Sequence, residues 1–279
     1  TEHGICPFEL ALSLAERTEV VVGDYIYVFD PRVRLQRFFD TPQSAPFFLV
    51  VDEAHNLYQR SREYYSPGFT ESWFRELGTL APSSAVLTLE EEEAGKTAAV
   101  LHPLFDRLRQ HLLELRPQEG TLAQKEAVPG ARPGTLPGVR PDPLPGARSG
   151  TFPGTGTPDD PGFEALFSPD KAFWAGIAKE LEEGLQQYLD RKSRSKESIS
   201  SDPRVKAARH LSYFASIMAE EGPEFSYLLR QTPAGGREAR ILCHDASRFL
   251  AAGYRAFRQV TLVSATLDPL PFYRSVLGF

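Results

Sequence analysis

Residues Phe47–Asn56 read F-F-L-V-V-D-E-A-H-N. Five apolar residues with no alternating polar face predict a strand buried on both sides, as in the middle of a parallel sheet. Asp52 and Glu53 follow at once, where that strand should end. The carboxyl edge of a parallel sheet is where open α/β folds bind their ligands. An aspartate there can hold Mg²⁺, which keeps most of its waters and takes only one or two carboxylates plus phosphate oxygens. In nucleotide hydrolysis a water must still be oriented and deprotonated, and the adjacent Glu53 is placed for that task. The plainer alternative is that D-E ends a strand and Asn56 caps the helix after it.

Upstream, Cys6-Pro7 opens a short amphipathic helix with Phe8, Leu10, Leu12 and Leu14 as apolar surface. The β-branched run Val20–Val22, continued by Tyr25–Phe29, predicts a buried strand. Asp30-Pro31 then starts a helix over Val33–Phe39, which Thr41-Pro42 breaks. Strand–helix–strand alternation indicates an α/β sheet.

Downstream the texture changes. From about Glu71 to Glu220 the pattern is mostly helical: Leu104, Leu108, Leu112 and Leu115 keep helical spacing. So do Trp174, Ile177, Leu181, Leu185 and Tyr188, on a helix started by Ser168-Pro169. A third helix begins at Asp202-Pro203 and carries Leu211, Phe214, Ile217 and Met218. These stripes read as core. Between the first two helices, residues 117–162 contain recurring P-G steps (P-G-A-R, P-G-V-R, P-G-A-R), a composition that cannot bury enough apolar surface to offset chain entropy. A disordered linker is expected there. Strand texture returns at Phe225–Arg230 and Arg240–Cys243 around a Gly235-Gly236 turn. A helix over Asp245–Phe257 and the strand Val260–Val263 follow, and Ser264-Ala265-Thr266-Leu267 comes at that strand's carboxyl end.

The 279 residues suffice for a substantial core, and 41% hydrophobic content is ordinary for a globular protein. No apolar run approaches membrane-spanning length and no leader pattern opens the chain, so a cytoplasmic protein is expected. Two cysteines, Cys6 and Cys243, make no disulfide framework. Thr1 in place of methionine, and an end at Phe279 just after a helical pattern, suggest a fragment. The net charge of −6 means that nucleic acid, if bound, must meet local basic patches.

As it stands, D-E-A-H after an apolar strand resembles the Walker B box of DEAH-type helicases, and S-A-T after a second strand resembles motif III of superfamily 2. Three further stretches narrow the resemblance to the XPD/DinG family of iron–sulfur helicases, which move 5′→3′ on single-stranded DNA. These are Cys6-Pro7-Phe8-Glu9, Val20–Pro31 (V-V-V-G-D-Y-I-Y-V-F-D-P) and Cys243-His244-Asp245-Ala246-Ser247. The similarity covers roughly Ile5–Ser66 and Ile241–Phe279, and the helical block occupies the position of that family's arch domain.

The resemblance implies a parallel-sheet, RecA-like α/β motor domain, incomplete, in two parts (1–66 and 224–279) around an arch-like insertion (67–223). It implies ATP and Mg²⁺ as cofactors, with Asp52 holding the metal, Glu53 activating water, and His55, Ser264, Ala265 and Thr266 transmitting nucleotide state. Cys6 would be the last of four cysteines around a [4Fe–4S] cluster whose other ligands lie before Thr1; read without the resemblance, a lone cysteine is a small buried hydrophobe. A zinc half-site from His3 and Cys6 lacks a second pair. Cys243 reads as structural. Single-stranded and forked DNA are the implied partners, met by the basic run Arg191, Lys192, Arg194, Lys196, Arg204, Lys206 and Arg209; a solvated helix end is the alternative reading.

Gly95-Lys96-Thr97 ends like a phosphate loop, but Glu90 stands where its first glycine is needed, and Glu90–Glu93 would aim carboxylates at phosphate oxygens. The sequence thus supplies a Walker B stretch without its phosphate cradle. Part of an ATP-dependent DNA helicase is the first expectation. A non-catalytic single-strand or partner-binding module is the second, and a protein whose main chemistry is nucleolytic, through an additional domain, is the third.

Overall fold

The computed structural model describes residues 6–39, 47–79, 99–118, 163–193, 199, 202–234 and 236–279. It divides into two compact units: Thr1–Tyr64 with Asp245–Phe279, and Tyr65–His244. The G-K-T stretch, Gly235 and all but the first two residues of the proline/glycine-rich segment lie outside the described residues.

In the first unit, β1 (Phe47–Val51) and β6 (Phe257–Leu262) pair in parallel, with Leu49 opposite Val260 and Val51 opposite Leu262. The ladder continues past the strand ends: Val263 N–H donates to Val51 O at 2.8 Å, and Ala54 N–H donates to Val263 O at 3.0 Å. The expected parallel pairing is present, but the expected burial on both faces is not. Only Val51 is buried, while Phe48 and Val50 are exposed. Among the described residues β1 has a single strand neighbour, so an apolar run alone does not make a central strand.

Around this pair stand α1 (Pro7–Ala15), α2 (Ile26–Phe29), α3 (Gln36–Phe39), α4 (His55–Tyr64), α9 (Ser247–Tyr254) and α10 (Leu270–Val276). Proline at the first position starts α1 as expected, and Arg37 of α3 pairs with Glu9 of α1 at 2.9 Å. On α4, Leu57, Ser61 and Tyr64 recur at helical spacing and form its buried face.

The strand expected over Val20–Phe29 does not form. Val20–Val22 run without regular structure, Val22 being 94% exposed, and Ile26–Phe29 are helical. Asp24 Oδ1 accepts the Ile26 N–H at 3.1 Å, a local side-chain bond that starts a helix where β-branched texture argued for a strand. Phe29 is buried against Tyr254 of α9, edge to face at 5.6 Å. The helix expected over Val33–Phe39 is likewise shorter. Asp30 accepts the Arg32 N–H and pairs with its guanidinium at 2.7 Å, which makes a turn over residues 31–33 instead of a cap.

The second unit packs helices against a four-stranded antiparallel sheet of order β2–β5–β4–β3. Its strands are β2 (Gly68–Thr70), β3 (Glu164–Leu166), β4 (Phe225–Gln231) and β5 (Arg237–Cys243). The sequence places the β4–β5 hairpin in the returning motor part from residue 224. The structure pairs it with β2 and β3, on either side of the helical block, and the compact unit runs to His244. Strand texture does not say which sheet a strand joins.

The helices are α5 (Glu71–Thr79), α6 (His102–Glu114), α7 (Lys171–Lys192) and α8 (Pro203–Ala219). Trp174, Ile177, Leu181 and Tyr188 form one buried stripe on α7, and Leu211, Phe214 and Met218 face it from α8. Phe214 meets Phe69 at 4.7 Å and Trp174 at 5.4 Å, both edge to face. Gly184 lets α7 approach α6, since a Cβ there would come within 3.0 Å of Leu104 Cδ1. Asp170, rather than Ser168, caps α7, accepting from Ala172 and Phe173 N–H. Asp202 caps α8 as expected. Among the described residues no helix is long and apolar enough to cross a membrane.

Candidate functional site

β1 and β6 run parallel, so the residues that follow them emerge at one edge. That is why D-E-A-H and S-A-T, 209 positions apart at His55 and Ser264, meet: His55 Nδ1 lies 2.8 Å from Ser264 Oγ. Between them Ala54 is fully buried and hydrogen-bonded to the β6 side, so the chain turns at a fixed point.

Glu53 makes that turn. Its φ of 47° is left-handed, the only such value at a non-glycine among the described residues, and costs an ordinary L-residue about 1–2 kcal/mol. Several bonds hold it. Asp52 Oδ1 accepts the Glu53 N–H at 2.9 Å, and the Glu53 carbonyl accepts the Asn56 N–H at 2.9 Å, which opens α4. Tyr25 donates its phenol hydrogen to the Asp52 carbonyl at 2.6 Å and lies 3.2 Å from that of Glu53. Asn56 thus enters through its backbone, and no side-chain cap from it is needed.

The electrostatics follow from which atom carries each proton. Glu53 Oε2 lies 3.2 Å from the same His55 Nδ1 that meets Ser264. With Nδ1 protonated, it donates to Ser264, and the Glu53 carboxylate lies beside the same nitrogen. With Nδ1 bare, the Ser264 hydroxyl donates to it, and Ser264 Oγ accepts the Thr266 N–H at 3.3 Å. Thr266 Oγ1 completes the chain at 3.4 Å from Ser264 Oγ. Ala265 lies in the turn between them. The two motifs therefore share one hydrogen-bond chain through His55, Ser264 and Thr266, with the Glu53 carboxylate beside it.

Asp52 is exposed, with Oδ1 turned to the Glu53 amide, so Oδ2 is the oxygen open to a ligand. One carboxylate oxygen beside open solvent fits Mg²⁺, which asks little of the protein. The fit to a [4Fe–4S] cluster fails within this chain. Cys6 is an exposed thiol at the start of α1, the other cysteine is buried in β5, and four thiolates are required. Among the described residues no group of three or more His, Cys, Asp or Glu side chains is arranged to hold a metal. His3 lies outside them.

Of the basic run, Arg191 stands at the end of α7, and Arg204, Lys206 and Arg209 lie on the first half of α8, with Lys206 and Arg209 exposed. Arg194 and Lys196 lie outside the described residues. Lys192 has a different place from the one expected. Its side chain is only 10% exposed and its ammonium is bonded to the Asp202 carboxylate, so its charge is spent inside the fold. Tyr25 is the residue that sequence reasoning missed, because it sat in the expected strand. It lies in the stretch Val20–Pro31 that carries the family resemblance, but only the tertiary structure brings its phenol to the D-E turn.

A family model described as DEAD_2 matches residues 1–73, which include Cys6, Tyr25 and D-E-A-H. A search of curated proteins found no match. DEAD_2 is a DEAD-like helicase domain found in XPD/DinG-type helicases, and this match points to a helicase-family, nucleic-acid-related function that uses a nucleotide.

Proposed function

We propose that this chain carries part of an ATP-driven motor that translocates 5′→3′ on single-stranded DNA and opens duplex forks, as the resemblance to XPD/DinG helicases implies. The observation that supports this best is the 2.8 Å contact of His55 with Ser264, which joins a D-E pair to a hydroxyl relay on the neighbouring parallel strand. In this reading Asp52 holds Mg²⁺, which when bound neutralises phosphate charge. Glu53 takes the proton of the attacking water, and its exposed carboxylate can reach solvent on the side away from His55. The relay through His55, Ser264 and Thr266 then reports whether Glu53 is occupied. The segment 67–223, within the compact unit Tyr65–His244, is read as the arch-like insertion, with Arg191, Arg204, Lys206 and Arg209 as its candidate contacts to the DNA strand. The iron–sulfur element rests on Cys6 alone.

The test is Glu53→Gln in the complete protein. DNA-stimulated ATP turnover should fall by roughly a hundredfold or more while nucleotide binding persists. Ser264→Ala should leave basal hydrolysis measurable and weaken its stimulation by DNA. Turnover retained in Glu53→Gln would refute the assignment. Salt-sensitive DNA binding indifferent to ATP would then favour a binding module.

A further inference from the structure

Tyr25 belongs to no part of the D-E-A-H or S-A-T relay, yet among the described residues its phenol is the one side-chain donor that reaches both the Asp52 and the Glu53 carbonyls. Those carbonyls flank the left-handed residue of the site. We propose that Tyr25 is a positioning residue for hydrolysis: it pins the Asp52–Glu53 turn so that Asp52 stays folded back on the Glu53 amide and Glu53 stays against His55. This rests on the reading of the D-E pair as the hydrolytic site.

Three features make Tyr25 suited to that task. The residue is anchored behind the phenol, since Asp24 accepts the Ile26 N–H at the start of α2 and Phe29, one turn on, is buried against Tyr254 and close to Gly253. It is half-buried, and its phenol has a single hydrogen to donate. Finally, the restraint is directional. Without it, the two carbonyls lose their shared donor, and rotation of Glu53 to an ordinary backbone conformation, which would move its carboxylate away from His55 and free the Asp52 Oδ1 bond, becomes easier. The phenol touches only backbone, so it does not take part in proton transfer.

Tyr25→Phe keeps the ring and deletes the bond. In the full-length protein, DNA-stimulated ATP turnover should fall about tenfold in kcat with KM for ATP within about twofold, because binding elsewhere on the nucleotide is untouched. Hydrogen exchange at the Glu53 and Ala54 amides should quicken while amides of α4 beyond its first turn keep their protection. In the Glu53→Gln background the same change should cost nothing more, since the group it positions is gone. Wild-type kcat in Tyr25→Phe, or a loss in which KM and global stability move together, would overturn the role. The outcomes are separable. An inactive Glu53→Gln with a fully active Tyr25→Phe removes Tyr25 and leaves the site standing, whereas an active Glu53→Gln removes both.

Discussion

Lys192→Met tests whether the described core of the second unit depends on one buried ion pair. The Lys192 and Asp202 side chains are 10% and 2% exposed, and the carboxylate also accepts from Tyr188 Oη at 2.7 Å and from the Arg204 N–H at 2.8 Å. Removing one member of a buried pair typically costs 3–5 kcal/mol, because the other charge is left without compensation. Asp202 would retain its two other donors, so the low end applies, about 3 kcal/mol. At a urea dependence of about 2 kcal/mol per molar, the midpoint should fall by roughly 1.5 M. Both tryptophans of the chain, Trp73 and Trp174, lie in Tyr65–His244, so fluorescence reads that unit alone. Lys206→Met, on the exposed face of α8, is the control and should stay within about 0.5 kcal/mol. The pH dependence gives a second arm. Burial alone would raise the Asp202 carboxyl, but the bonds from Lys192, Tyr188 and the Arg204 N–H, with the Lys192 charge, outweigh it and hold it below the usual range. A depressed folded value means stability that is complete above the unfolded value of about 3.9 and is lost as pH falls through the folded one. Lys192→Met should shrink that acid loss, because without the Lys192 bond and charge the folded value rises towards the unfolded one, and Asp202→Asn should abolish it. A midpoint shift under about 0.3 M would place the pair with weak, solvated surface bridges and refute the argument.

Three other outcomes are expected. Asp170→Ala removes the side chain that accepts two first-turn amides of α7 and should cost the same unit about 1 kcal/mol, read by the same fluorescence. His111 stacks on Phe173 at 3.8 Å, and burial lowers its ionisation against the opposing charges of Glu114 and Asp170. The unfolded chain therefore takes up the proton first. Stability should decline as pH falls below about 6.5 and level off once the folded imidazole also protonates; His111→Phe should flatten that slope, and an unchanged slope would count against it. Ala54→Leu forces a large side chain into a fully buried position between β1 and α4. It should destabilise the first unit by about 2 kcal/mol, seen as faster hydrogen exchange along β1 and β6, whereas unaltered exchange would show that the turn has room.

What the sequence determined by itself was whatever depends on near neighbours along the chain. The Trp174–Tyr188 stripe follows from helical period, and α1 and α8 start where a proline follows a residue of extended backbone. That D-E-A-H and S-A-T act together was expected only from the resemblance to helicase motifs; the parallel pairing of β1 with β6 is what brings them to one edge. The tertiary structure alone decided matters that depend on distant partners. Val20–Val22 have strand texture but no ladder, Asp24 turns the next residues into helix, and the β4–β5 hairpin joins β2 and β3. It also withdrew Lys192 from the surface and brought Tyr25 under Glu53. Period and capping are set within a few residues, whereas strand pairing, burial and a left-handed turn held by a tyrosine 28 positions away are settled only when the chain closes on itself.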